Sequence, residues 1–389
     1  MGKIALTALE PPLRETCFAI YLHWPFCRAK CPYCDFNSYV AATKPDLALW
    51  ESAYFRELEY FARLSEGRRV SSVFFGGGTP SLMPASLVSN LLSKIDTLWG
   101  LDEAAEITLE VNPTSFEVAK FESFKAAGIN RVSVGVQALN NDVLQFLGRE
   151  HSAEEGLEAW GIARDLFSHC SFDLIYARPQ QYLEDWQKEL DMALEQKPDH
   201  LCLYQLTIEP NTGFESAVRT GKWQPLDDDR AAGLFDYTRL RLKKAGLPAY
   251  EVSNHARKGR ESRHNLTYWR YQDYIGVGPG AHGRLTTQEG KYATSQRRVP
   301  QAWLELCKTQ GHGTEDFARL SSKDQKLEAL LMGLRLSEGV LYDGFASVLD
   351  EKRLDQLIQS GDMQLEEGRL KVTEGSFVKL NAILAWIVT

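Results

Sequence analysis

No apolar run in this chain approaches the roughly 20 residues that a membrane-spanning helix needs. The longest, LNAILAWIV at residues 380–388, is far shorter, so no membrane span is expected. Positive charge is also in short supply. Lysine and arginine number 44 against 52 acids, and the net charge of −8 argues against a surface built to neutralise phosphates, so no nucleic-acid partner is expected. Internal repeats and low-complexity segments are lacking. The opening MGKIALTALEPPLRETC carries acids and prolines and no small-residue cleavage pattern, so the chain reads as cytoplasmic. Cysteines are few for a disulfide framework, seven in 389 residues. Cys17, Cys170, Cys202 and Cys307 are scattered in apolar surroundings and read as small core hydrophobes. The other three stand together.

What is present is an alternation. Short β-rich runs (FAIYLHW, VSSVFFGGG, EITLEVNP, NRVSVGVQ, SFDLIYARP and HLCLYQLTIEP) are separated by amphipathic helical stretches. Alternating strands and helices imply a parallel sheet. From Pro45 to Leu64, apolar Leu47, Trp50, Tyr54, Leu58 and Phe61 recur at helical spacing and line one face. Thr114 and Glu117 have the spacing of a capping box, opening a helix that stops at Gly128. Six strand–helix units fit in residues 18–246, short of the eight of a closed barrel, so a partial (β/α)6 barrel is expected, with further strands able to hide downstream. Residues 1–17 form an N-terminal segment. Residues 247–298, aromatic and glycine-rich, form a linking region. Residues 299–389 form a small C-terminal helical domain whose helices and hairpin resemble a winged-helix arrangement.

The stretch CRAKCPYCDF places Cys27, Cys31 and Cys34 at Cys-x3-Cys-x2-Cys spacing. Three thiolates can converge on one metal centre, but a closed zinc site wants four ligands. An iron–sulfur cluster held by three leaves one iron open to an exogenous ligand. Zinc, or cysteines with no shared role, are the alternatives on the residues alone. Unusual residues also gather where strands end, as barrel chemistry requires: GGGTPS after the second run, Glu110 and Asn112 at the third, Gln137 at the fourth, Asp173 at the fifth.

The sequence YLHWPFCRAKCPYCDF closely resembles the signature of the radical S-adenosylmethionine (SAM) superfamily, in the branch of oxygen-independent coproporphyrinogen III dehydrogenase and the HemW-type haem chaperones. The resemblance covers nearly the whole chain. It implies a [4Fe–4S] cluster on Cys27, Cys31 and Cys34 and SAM on its open iron. The backbone of Gly77, Gly78 and Thr79 would hold the SAM amino group. Glu110, Gln137, Arg149 and Asp173 match positions that contact the methionine moiety or the ribose, and Tyr21 and Tyr33 match positions that pack beside SAM. Arg149 suits a carboxylate through its planar fork, and Asp173 suits ribose hydroxyls. One departure stands beside Asp173, where relatives usually continue Gly-Leu-Pro-Gly-Gln and this chain has Ala177-Arg178-Pro179-Gln180-Gln181, which puts the shape of that loop in question.

Two features choose between the branches. The dehydrogenases typically carry a fourth cysteine where this chain has Phe36, and a long N-terminal extension where this one has fewer than twenty residues before its first strand. In RHNLTYWR, the run His264 to Trp269 matches the H-N-x-x-Y-W motif that the resemblance associates with haem: an imidazole can take an axial position on iron, and Tyr268 and Trp269 offer flat apolar surface. The expectation is a haem chaperone, with catalysis left open, that passes haem to acceptors such as respiratory cytochromes or a haem-storage protein; peripheral contact with membrane haemoproteins is compatible with it. The rival expectation is the dehydrogenase, in which reductive SAM cleavage starts oxidative decarboxylation. The G-x-G-x-x-G match at Gly278 to Gly283 lacks a following helix and reads as a tight loop with a structural His282. His23, beside the cluster, reads as packed or as touching the site.

Overall fold

Side chains alternate across each main strand, and the two faces meet different company. In β1 (Phe18–Trp24), Phe18, Ile20, Leu22 and Trp24 enter the main apolar core, while Tyr21 and His23 face a cavity. The computed structural model describes residues 17–41 and 43–389, so the expected N-terminal segment lies, except for Cys17, outside the described residues. The other strands of the main sheet are β2 (Val70–Gly77), β3 (Leu101–Val111), β4 (Arg131–Gln137), β5 (His169–Tyr176), β6 (His200–Gln205), β7 (Asn254–Ala256), β8 (Asp273–Val277), β9 (His282–Thr287), β10 (Gly290–Gln296) and β11 (Thr314–Arg319). Their spatial order is β11-β10-β9-β8-β1-β2-β3-β4-β5-β6-β7.

From β8 through β1 to β6 every pairing is parallel, and both ends of the sheet are antiparallel. The six expected parallel strands are therefore joined by a seventh, β8, on the far side of β1. A parallel sheet covered on both faces would read as continuous apolar sequence. Here the concave face instead carries Tyr21, Phe74, Thr108, Arg131, Asp173, His200 and Cys202 around a cavity. The lumen is polar, and the outer face holds the core.

Helices cover that outer face. Asp46 caps the helix Leu47–Leu64 by accepting from the amides of Ala48 and Leu49, which places the start after Pro45. Its Trp50, Tyr54, Leu58 and Phe61 are buried against the sheet. The capping box expected at Thr114 does not form. Glu117 instead accepts from the Asn112 amide at 3.0 Å and from the Ser81 hydroxyl, and the segment breaks into Ser115–Val118 and Phe121–Ala126. Two competing buried donors outcompete the cap.

The stretch 247–298 contributes β7 to β10 and the helix Arg263–Trp269, so it is built into the barrel. Helix Pro300–Gln310 and β11 belong there too: Trp303 and Cys307 enter the main core, and β11 pairs with β10. The second core begins with helix Ser322–Gly333. There Leu330 and Leu334 pack with Val348, Leu354, Leu370 and Ile383. The order helix, strand Val340–Leu341, two short helical turns (Tyr342–Gly344 and Ala346–Val348), helix Glu351–Gln359, hairpin Met363–Glu366/Arg369–Val372 resembles that of a winged helix, closed by helix Leu380–Ile387. Glu367 and Gly368 turn the hairpin with φ of 49° and 74°, the left-handed pair that two-residue hairpins favour. Among the described residues, no helix is long and apolar enough to cross a membrane.

Candidate functional site

The cysteine loop leaves β1 at Trp24 and is held by its surroundings as well as by itself. Phe26–Cys27 pairs with Tyr39–Val40, and the Cys34 amide donates to the Cys31 carbonyl at 3.1 Å. Between them the Pro32 carbonyl accepts from the Phe214 amide at 2.8 Å. A Cβ at Gly148 would stand 2.7 Å from the Pro32 ring, so a glycine is needed where the loop docks.

The end of β2 runs against the same loop. The Gly78 amide donates to the Trp24 carbonyl at 2.7 Å and the Thr79 amide to the Phe26 carbonyl at 2.9 Å. A Cβ on Gly78 would lie 2.8 Å from that Phe26 oxygen and 3.0 Å from Cys27 Sγ. Gly77, at φ 116°, would drive a Cβ into His23. These are positions where only backbone fits.

A cavity of about 310 Å³ opens at this junction, walled by Cys27, Cys31, Cys34, Tyr33, Gly77, Gly78, Thr79, Glu110, Gln137, Arg149 and Asp173. The structure thus brings together every expected cluster and SAM residue except Tyr21. That residue lines the neighbouring cavity, its ring stacked on Phe74 and its hydroxyl 2.9 Å from His23 Nδ1. Gln137 arrives through an irregularity in the β4–β5 register that leaves it at φ 69°, a bulge-like device that re-aims a strand-end side chain. Asn112 is a partner whose role sequence alone left open. Its side-chain oxygen accepts from Arg149 Nη2 at 2.6 Å, and its amide nitrogen donates to Thr79 Oγ1 at 3.3 Å.

Two observations test whether the cavity suits a cluster with SAM. Arg149 donates through Nη2 to Asn112 and the Gly135 carbonyl and through Nη1 to Cys31 Sγ at 3.5 Å, but its buried Nε has no acceptor among the described residues. A buried guanidinium donor left over at a cavity wall suits an incoming carboxylate. The three thiols surround part of the cavity. Among the described residues no three Cys, His, Asp or Glu groups converge to hold a single ion, whereas a cluster takes its thiolates at separate irons. The residues fit both groups.

Electrostatics set the wall's charge. Burial, with Asp173 nearby, pushes Glu110 up to about 8, against one stabilising amide from Gly77 at 3.3 Å. Burial pushes Asp173 up to about 6 despite bonds from Cys202 and Ser133. Glu110 is thus the carboxyl that keeps its proton near neutral pH and is poised to ionise when a cation arrives. Burial also raises the Cys27 and Cys34 thiols, so a metal's positive charge is what would draw out the thiolates.

The loop after β5 turns through left-handed backbone at two of its substituted residues. Ala177 and Gln180, where relatives usually carry glycine, stand at φ 55° and 60°. Arg178 is buried and pairs in a fork with Glu189, whose carboxylate also accepts from the Leu139 amide at 2.8 Å.

A second cavity, of about 500 Å³, adjoins the first and shares Phe36, Gly77, Glu110, Ser133, Asp173 and Tyr204 with it. The expected haem residues His264, Tyr268 and Trp269 line it together, joined by Tyr274 and Met332. His264, however, is buried and bonded at both ring nitrogens, Nδ1 to Ser72 Oγ at 3.0 Å and Nε2 to Tyr268 Oη at 2.6 Å. Burial lowers it to about 3, so the ring is neutral. Its helix is anchored by Glu106, which accepts from the amides of Arg263 and His264 and from Ser262 Oγ. Of the scattered cysteines, Cys202 and Cys307 are buried and Cys170 partly so, while Cys17 is exposed and is no core residue. The glycine run before His282 is a loop, as read. His282 itself is exposed on the second cavity's wall.

Comparison with known proteins agrees with this geometry. The Radical SAM superfamily pattern matches residues 21–193. Heme chaperone HemW of Escherichia coli is 34% identical over 384 residues, covering 96% of this chain and 97% of that protein. The mitochondrial radical S-adenosyl methionine domain-containing protein 1 of Danio rerio is 38% identical over 363 residues, covering 92% of this chain and 82% of that protein. In fold, the chain matches the solved structure of coproporphyrinogen III oxidase (HemN) from Escherichia coli, a radical SAM enzyme, with a TM-score of 0.81 at 23% identity, covering 95% of this chain and 90% of the other. With relatives this similar along nearly their whole length, the chain belongs to the radical SAM superfamily and, within it, to the family of the proteins named heme chaperone HemW.

Proposed function

We propose that this protein is a haem carrier: it takes haem into the second cavity and hands it to acceptor haemoproteins such as respiratory cytochromes or a haem-storage protein in the cytoplasm. The observation that carries this reading is an aromatic-walled cavity of about 500 Å³ joined by shared residues to the cysteine-lined one. That volume lies within the range of sites that enclose a cofactor-sized ligand. Tyr268, Trp269 and Tyr274 give it flat apolar walls. The name carried by the bacterial relatives supports the same assignment.

A [4Fe–4S] cluster on Cys27, Cys31 and Cys34, with SAM on its open iron, would supply one-electron chemistry. The residues' own work is positioning. Arg149 offers its unpaired Nε to a carboxylate, Glu110 and Asp173 offer acceptors to an ammonium or to ribose hydroxyls, and the strand end at Gly77 and Gly78 lets backbone approach closely. Tyr33, packed near Phe214, would cover one side. Phe36, 57% exposed, stands at the boundary of both cavities in the place of a fourth cysteine.

The test is anaerobic reconstitution followed by two titrations, one with haem and one with coproporphyrinogen III plus SAM and reductant. Stoichiometric haem binding without porphyrin product is the expected result. Decarboxylated product with no haem binding would make the chain a dehydrogenase and overturn the carrier assignment.

A further inference from the structure

Four histidines line the second cavity, and three of them are already engaged. His23 bonds Tyr21 Oη and the Asn37 carbonyl, each at 2.9 Å. His264 bonds Ser72 and Tyr268. His200 Nε2 lies 3.0 Å from Tyr250 Oη, and its Nδ1 faces Cys202 Sγ at 3.8 Å. His282 differs. It is exposed, and its ring makes no hydrogen bond to a described residue.

The backbone beneath it is held on every side. Gln296 donates to the Ala281 carbonyl at 2.8 Å, Ala281 to Gly278 at 3.1 Å, and Gly280 to Arg297 at 3.1 Å. Asn37, from the cysteine loop, donates to the Pro279 carbonyl at 2.9 Å. A Cβ on Gly276 would fall 2.1 Å from the His282 carbonyl oxygen, so β8 and β9 meet here with no room for a side chain between them. The glycine-rich turn therefore presents one unengaged imidazole, on rigid backbone, at a cavity whose other walls include Phe36, Tyr268, Trp269, Tyr274 and Met332.

Its surroundings suit a metal ligand. Partial desolvation at the cavity wall, with the Arg284 and Arg298 guanidiniums nearby, lowers its pKa against the opposing pull of Asp316, which favours the neutral ring that binds metals. Arg284 is neutralised by Glu328 in a two-point ion pair. Arg298, near enough to His282 to act on its charge though not itself on the cavity wall, is exposed and has no ion pair to a described residue, leaving a cation for a carboxylate that reaches out of the cavity.

We propose that His282 is the axial ligand to haem iron in this cavity, with Arg298 receiving a propionate, and that His264 of the H-N-x-x-Y-W run shapes the cavity floor without touching the iron. This rests on the carrier reading of the cavity. The step is simple coordination: a neutral imidazole nitrogen donates its lone pair to iron, and no proton or electron is exchanged.

The experiment is titration of ferric haem into the full-length protein, followed by visible absorption and electron paramagnetic resonance. Wild type is expected to show an imidazole-ligated spectrum. His282→Ala should lose that spectrum and bind at least about ten-fold more weakly, since even residues that merely orient metal ligands cost that much. Added free imidazole should restore the spectrum. His264→Gln should keep the wild-type spectrum, and Arg298→Ala should weaken binding without changing it. Circular dichroism and His282→Gln control for folding, which an exposed side chain should not disturb. A His282→Ala protein with wild-type spectrum and affinity would overturn the assignment while leaving the carrier reading standing. A wild-type protein that binds no haem would overturn both.

Discussion

The replacement of Gly78 by alanine tests how the cysteine loop is held. The added methyl would sit 2.8 Å from the Phe26 carbonyl oxygen, 2.9 Å from the Pro25 carbonyl carbon and 3.0 Å from Cys27 Sγ. Two of these are backbone atoms, so no rotamer change relieves them. The Phe26 oxygen is also the acceptor of the Thr79 amide at 2.9 Å, and pushing it away loosens the bond that ties β2 to the loop. Overpacking of this kind costs about 1–3 kcal/mol, and the loop can relieve it only by moving Cys27 away from the wall it shares with Cys31 and Cys34. The expected result is a folded protein with markedly lower iron and sulfide content after reconstitution and weak charge-transfer absorption. Gly161→Ala is the control. It lies inside helix Ala153–Leu166 with nothing within 4 Å of the added Cβ, and should leave cluster content unchanged while stabilising the helix by about 0.5–1 kcal/mol. Full cluster incorporation in Gly78→Ala would refute the claim that close backbone approach at this glycine sets the position of Cys27.

Three further outcomes are expected. Arg178→Leu leaves the buried Glu189 without its counter-charge and should cost about 3–5 kcal/mol in denaturant unfolding; a loss below 1 kcal/mol would show that water reaches the pair. Gln180→Gly should raise the melting temperature, because relieving a left-handed residue gains about 1 kcal/mol and its exposed side chain gives up no packing. At buried Ala177, by contrast, the lost methyl of about 0.8 kcal/mol offsets the gain. Between pH 7 and 9, where the buried imidazoles are neutral whether folded or unfolded, stability of the protein without cluster or SAM should fall as pH rises. Glu110 goes from 4.5 to about 8 and Glu57 from 4.5 to about 7 on folding, both through burial, so their contribution is complete below 4.5 and is lost as pH climbs through the folded values. Glu110→Gln should flatten that slope, and an unchanged slope would remove Glu110 as its source.

Much of the site was legible because its chemistry is local in sequence. Three cysteines within eight residues, a glycine run at a strand end and single polar residues at successive strand ends can all be read without knowing the fold. What could not be read depends on pairing between distant segments. β8 lies some 250 residues from β1 yet is its parallel partner, which turned an apparent linker into part of the barrel wall. The Thr114 cap failed because Ser81, from another strand end, claimed Glu117. The surroundings of His264 and His282 were hidden for the same reason. The aromatic run around His264 looks like a binding motif, but Ser72 and Glu106 reach it from β2 and β3 and hold it in place. His282 follows a glycine turn that looks purely structural, and only its position on the cavity wall shows that its ring is unengaged.

The polar lumen explains why this sheet tolerates so many charged and hydroxyl residues where a parallel sheet would ordinarily be apolar. Buried polar groups without partners are costly, and most of those here are paired within the wall: Glu106 with Ser262 and the amides of Arg263 and His264, Ser133 with Asp173, Arg149 with Asn112 and Gly135. Among those left unengaged are Arg149 Nε at the cysteine-lined cavity, and Thr108 Oγ1, Trp269 Nε1 and the His282 ring at the aromatic one. Arg149 suits the carboxylate, and the His282 ring the metal, proposed for their cavities. Glu110, Asp173 and Phe36 belong to both walls, so a cation held beside the cysteines would act on carboxyls that also face the aromatic cavity. Occupancy of one cavity would thereby change the field in the other, and by linkage the influence would run equally in both directions.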